Sequence, residues 1–152
     1  MIVLITGASS GFGEAMARKF VRHGHRVIAA ARRSGRLASL NGELGATLLP
    51  VTLDVTDRAS IVRALSGLPE NWKPIDVLIN NAGLALGTEP AQVASLDEWD
   101  TMIETNNKGL VAMTRTLLPE MVERGSGLII NIGSVAGLTR VLPRPISIDG
   151  FL

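Results

Sequence analysis

The sequence predicts an α/β fold built on a parallel sheet, and three observations predict it. Short apolar runs rich in Ile, Val and Leu alternate with segments of helical period along the 152 residues, the pattern of successive βαβ units. These runs are continuous rather than alternating, as strands covered on both faces require, and they fit a hydrophobic content of 46% and a mean hydropathy of +0.29. A glycine-rich turn, ITGASSGFGEA, follows the first run directly and opens a helical segment. A chain of this length is expected to form one domain with a real core, burying about 68–70% of its unfolded surface.

The elements follow in order. IVLIT at 2–6 reads as the first strand and 12–23 as the first helix. His23 and His25 fall at the helix-to-strand junction, where solvated turn residues are expected, and neither is assigned a role. RVIAAA at 26–31 is the second strand and 34–41 a helix. TLLPVTL at 47–53 is the third strand, with Pro50 an awkward insertion because proline cannot donate to a ladder. A helix at 57–66 precedes the fourth strand, IDVLIN at 75–80. A single long helix is expected over 97–124, started by a capping box from Ser95 to Glu98 and kinked or brought to its last turns at Pro119. GLIINIG at 127–133 is the fifth strand. Right-handed crossovers arrange these strands as 3-2-1-4-5, an incomplete doubly wound sheet of the Rossmann type.

Composition narrows the partners. The formal net charge is +1 with Lys and Arg scattered, so neither nucleic acid nor an anionic membrane is expected as a partner. A small-molecule ligand is expected instead. Cysteine is absent, which excludes disulfides and Cys-based metal or thiol chemistry, and no metal site is predicted. Met1 to Ile5 is too short for a signal peptide or a span, and a cytoplasmic location is expected.

In such sheets ligands bind beyond the carboxyl ends of the strands, at the switch point between strands 1 and 4. The loop after strand 1 comprises Gly7, Ala8, Ser9, Ser10, Gly11, Phe12 and Gly13. Gly7 allows a tight exit, Gly11 a close backbone approach to a pyrophosphate, and Gly13 close packing of the helix, whose N-terminal N–H groups suit anionic oxygens. Arg32 and Arg33 end strand 2 with no acid between 26 and 36, which favours the 2′-phosphate of NADP over the free ribose of NAD; a solvated basic turn is the alternative. After strand 3, Asp54 can accept from the adenine amine beside the Val55 backbone, or serve only to cap the next helix. After strand 4, Asn80 and Asn81 offer donors and acceptors, while Ala82 and Gly83 keep the floor low.

The loop Thr6 to Gly13, then Asp54, then Asn80-Asn81-Ala82-Gly83, then Asn106 within TNNKG, then Ser134 ending IINIGS together resemble the short-chain dehydrogenase/reductase family. The runs NNAGLALGTEPA, TNNKGLVAMTRTLLPEMVERGSG and INIGSVAG are most similar to its NADP-dependent 3-hydroxy acid dehydrogenases, acting on L-allo-threonine, serine, and 3-hydroxypropionate or malonic semialdehyde. The resemblance implies hydride transfer between NADP and a hydroxy acid or carbonyl substrate. It implies Ser134 and Asn106 as catalytic residues, Ser134 holding the substrate oxygen and Asn106 carrying a water toward a lysine. A tyrosine would exchange the hydroxyl proton, its pKa near 10 lowered by that lysine and by the cationic nicotinamide. The full-length family member is expected to be a homo-oligomer.

The tyrosine position falls here on Ser147 and the lysine position on Phe151, and the sequence contains no tyrosine. Residues 1–137 are therefore expected to form the dinucleotide-binding domain and 138–152 an aberrant tail, truncated or frameshifted. One encoding of Arg144 to Ile148, read in a shifted frame, yields Ala-Asn-Ile-Tyr. Three readings stay open: an oxidoreductase inactive in this form, an NADP-binding module without catalysis, and a product without selected function.

Overall fold

A computed structural model describes residues 1–134. The tail assigned to 138–152, with Ser147 and Phe151, lies outside them. The strands are β1 (Ile2–Thr6), β2 (Arg26–Ala31), β3 (Leu48–Thr52), β4 (Val77–Asn80) and β5 (Leu128–Asn131). The helices are α1 (Gly11–Arg22), α2 (Ser34–Leu44), α3 (Arg58–Ser66), α4 (Leu96–Met102) and α5 (Leu110–Glu123). All strand pairs are parallel, in the order β3-β2-β1-β4-β5, as expected.

Helices cover both faces of the sheet. Leu4, Ile28 and Leu78 pack with Ile61 and Leu65 of α3 and Met113, Leu117 and Met121 of α5. Val3, Ile5, Val27 and Ile79 pack on the other face with Ala17 of α1 and Leu37 and Leu40 of α2. Neighbouring residues of one strand thus serve opposite cores, and Val3, Leu4 and Ile5 have no exposed surface. Each such side chain contributes about 1.5–3 kcal/mol by burial. Pro50 sits in β3 opposite Ala29 without disruption because β3 is the sheet's edge, where a missing donor leaves no partner unsatisfied.

The long helix expected over 97–124 is not continuous. A π-helical segment, Ile103–Gly109, separates α4 from α5. Two tertiary contacts favour the wider turn. Asn106 pairs with the backbone of Leu84, and Gly109 lies so close to Val55 that a Cβ there would meet Val55 Cγ2 at 2.8 Å. Pro119 lies inside α5, which ends at Glu123, so it marks the last turns. The capping box is half made: Ser95 Oγ accepts from the Glu98 N–H at 3.4 Å, while Glu98 Oε2 turns toward Gly87. Among the described residues no helix is long and apolar enough to cross a membrane.

Candidate functional site

The carboxyl ends of β1, β2, β3 and β4 open onto one cleft of about 600 Å³. It is lined by Gly7, Ser9, Ser10, Phe12, Arg32, Arg33, Asp54, Val55, Asn81, Ala82 and Gly83 with Ala30, Ala31 and Leu53. Eleven of the fourteen residues assigned from sequence to the cofactor are therefore brought together. Ala8, Gly11 and Gly13 belong to the same loop without lining the cleft. Ala8 is buried and its N–H donates to Ala30 O at 3.1 Å, tying the loop to β2.

The floor is set by contacts between β1 and β4. The Thr6 hydroxyl accepts from the N–H groups of Asn81 and Ala82, both at 3.0 Å. Asn81 Nδ2 donates to Thr6 O at 2.9 Å. Gly7 turns the chain at φ +67°, and an added Cβ would meet Ala82 Cα at 2.9 Å. A Cβ on Gly13 would meet Gly7 O at 2.4 Å and Asn81 Nδ2 at 2.5 Å, so the first turn of α1 can pack there only without a side chain. Gly11, at φ +57°, has open space around it. Its requirement is conformational.

Thr6 carries no role by its sequence position alone, yet its hydroxyl holds the cleft floor through Asn81 and Ala82. Its signal was a hydroxyl at the end of an apolar strand, aimed at a neighbour that only the strand order reveals.

Asn80 and Asn81 do not both face the cleft. Asn80 is buried, its Nδ2 donating to Thr114 Oγ1 at 3.0 Å and Asn131 Oδ1 at 2.9 Å, which ties β4 to α5 and β5. Only Asn81 lines the cleft.

Arg33 lies across two consecutive hydroxyls, with Nε donating to Ser9 Oγ at 3.3 Å and Nη2 to Ser10 Oγ at 2.7 Å. Arg32 lines the same mouth. Two arginines against the single carboxylate of Asp54 make the cleft cationic.

Asp54 Oδ1 accepts from the Thr56 N–H at 3.0 Å and the Thr56 hydroxyl at 2.8 Å. The residue that caps α3 is Asp57, which accepts from the Ala59 N–H at 2.8 Å. The capping alternative for Asp54 therefore falls to its neighbour. Hydrogen bonding by the backbone N–H of Ser60, then of Ala59, holds the Asp57 carboxyl below its usual range.

Asn106 Oδ1 accepts from the Leu84 N–H at 2.9 Å and its Nδ2 donates to Leu84 O at 2.8 Å. Both polar atoms of this side chain thus clamp the loop after β4. Ser134 is exposed just beyond β5, at the same end of the sheet.

The cleft fits a dinucleotide on its own geometry. Gly7 and its neighbours in the loop before α1 lie on one side of the cleft, and Arg32 and Arg33 at its mouth supply positive charge that suits an anionic ligand.

A family model described as short chain dehydrogenase matches residues 1–145. The NADP-dependent 3-hydroxy acid dehydrogenase YdfG of Salmonella typhi is 61% identical over 137 residues, which are 90% of this chain and 55% of that protein. Serine 3-dehydrogenase of Rhizobium radiobacter is 50% identical over 134 residues, 88% of this chain and 53% of that one. Among solved structures, the closed form of serine dehydrogenase complexed with NADP+ matches with a TM-score of 0.91 and 58% identity, covering 93% of this chain and 57% of that chain. The chain spans just over half the length of the curated relatives it matches.

Proposed function

The chain belongs to the short chain dehydrogenase family, and from that premise we propose that residues 1–137 are the dinucleotide-binding domain of an NADP-dependent oxidoreductase. Its substrate class is a 3-hydroxy acid or the related carbonyl compound. One observation carries the reading: a single cationic cleft gathers the glycine loop, Arg32 and Arg33, Asp54 and Val55, and the stretch Asn81 to Gly83.

Gly7 to Gly13 would hold the pyrophosphate, with the N–H groups at the start of α1 facing its oxygens. Arg32 and Arg33 would hold the 2′-phosphate through charge-assisted bonds. Asp54 and the Val55 backbone would receive the adenine, while Asn81, Ala82 and Gly83 would border the nicotinamide ribose. When bound, the cofactor supplies the hydride acceptor or donor. Ser134 would bind the substrate oxygen. Asn106 enters through its backbone and through the loop it clamps, because Leu84 engages both polar atoms of its side chain. The proposal includes a cytoplasmic location and a homo-oligomeric full-length protein.

The lack of any tyrosine among the 152 residues favours a second reading for this chain by itself, an NADP-binding module without catalysis. The test is NADPH formation from NADP+ with L-serine, L-allo-threonine or 3-hydroxypropionate, run alongside cofactor binding. Binding of NADP+ supports the dinucleotide-binding domain, turnover beside it contradicts the module without catalysis, and absence of binding contradicts both readings.

A further inference from the structure

Ser10 occupies the N-cap of α1 with extended backbone, φ −169° and ψ 169°, yet its side chain makes no capping hydrogen bond. Serine is favoured at this position because its oxygen can accept from an N–H of the first turn. Here that oxygen accepts instead from Arg33 Nη2 at 2.7 Å, across 23 residues of sequence. Ser9, buried beside it, accepts from Arg33 Nε at 3.3 Å.

Two consequences follow from the diverted hydroxyl. The first-turn N–H groups of α1 receive no hydrogen bond from the Ser10 side chain. The guanidinium, otherwise a flexible group at the exposed end of β2, is held at two points in one plane. A guanidinium has five N–H donors in a fixed fork, so donors remain for an anion after the two serines are served. Arg32, by contrast, makes no side-chain hydrogen bond among the described residues, and contributes charge without fixed direction.

We propose that Ser10 is a specificity-determining positioning residue that fixes Arg33 for the 2′-phosphate of NADP. This rests on the reading that NADP binds the cleft. A ribose 2′-hydroxyl gains little from an oriented cation, so the effect of Ser10 falls on NADP more than on NAD. If the Ser10–Arg33 bond merely tied α1 to the β2–α2 turn, its loss would act on both cofactors alike.

The test is equilibrium titration of NADP+ and of NAD+ into the full chain and its Ser10→Ala, Ser10→Thr, Arg33→Ala and Ser10→Ala/Arg33→Ala variants. Both residues are at least partly exposed, so the fold is expected to survive. Ser10→Ala should weaken NADP+ binding about tenfold more than NAD+ binding, the scale of a hydrogen bond to a charged group. Ser10→Thr should restore it. In the Arg33→Ala background, Ser10→Ala should cost nothing further. Equal weakening of both cofactors by Ser10→Ala, or an undiminished cost without Arg33, would overturn the proposal. Wild-type chain with no preference for NADP+ would instead overturn the functional reading beneath it.

Discussion

Thr6 accepts twice from Asn81: the Thr6 hydroxyl accepts from the Asn81 N–H at 3.0 Å, and Thr6 O accepts from Asn81 Nδ2 at 2.9 Å. The pair closes the gap between β1 and β4, where the sheet's connections diverge and the cleft has its floor. Thr6 is 1% exposed and also serves the Ala82 N–H. Replacing it with the isosteric valine leaves two N–H groups without their acceptor. Thr6→Val should therefore lower stability by about 2–4 kcal/mol in denaturant unfolding. Thr6→Ser should recover most of the loss.

Gly13 and Gly11 should respond differently to alanine. At Gly13 the added carbon would overlap a backbone carbonyl and an anchored amide, neither of which can retreat cheaply. Gly13→Ala should cost about 3 kcal/mol and abolish dinucleotide binding. Gly11→Ala meets no atom within 4 Å and carries only the strain of its φ of +57°, about 1–2 kcal/mol. Thermal unfolding of the two variants side by side checks the order.

Asn106→Leu removes both bonds to Leu84 and should release the loop after β4. Amide hydrogen exchange at Leu84 is the sensitive readout, because its N–H loses its acceptor. The expected loss of stability is about 1 kcal/mol, since Asn106 is exposed. An unchanged exchange rate at Leu84 would show that the pairing does not order the loop.

The pH dependence has a definite sign. Asp57 and Glu43 both have folded-state carboxyls below their usual range, Asp57 through the Ser60 and Ala59 N–H groups and Glu43 through its hydrogen bond and charge pairing with Arg18. A lowered folded pKa contributes stability that is present above the unfolded value and lost as pH falls through the folded one. Stability should therefore decline on acidification below about pH 4, the ordinary carboxylate range. Asp57→Asn with Glu43→Gln should flatten that decline in unfolding measured from pH 6 to pH 2.

What could be read in advance follows from where the information sits. The β1 run, the glycine turn and the arginines after β2 are legible because each is specified within about ten residues, by continuous apolarity, absent side chains or local charge. Strand order then places them at one end of the sheet. The π segment was not legible: Thr105, Asn106, Asn107 and Gly109 are weak helix formers but do not say how the turn changes, and the wider turn meets Leu84 and Val55, remote in sequence. Asn80 and Asn81 are indistinguishable as letters. Strand pleat sends one toward Thr114 and Asn131 and leaves the other at the cleft. The diversion of Ser10 from cap to Arg33 likewise needed β2 beside β1.

On the proposed function, this cleft takes NADP through Arg32 and Arg33. Titration of the chain with NADP+ and NAD+, repeated after Arg32→Ala/Arg33→Ala substitution, tests it most directly. Charge-assisted contacts to the 2′-phosphate predict that NADP+ binds about 10- to 100-fold more tightly than NAD+ and that the substitutions erase the difference. Equal affinity for the two cofactors in the unsubstituted chain would contradict the claim.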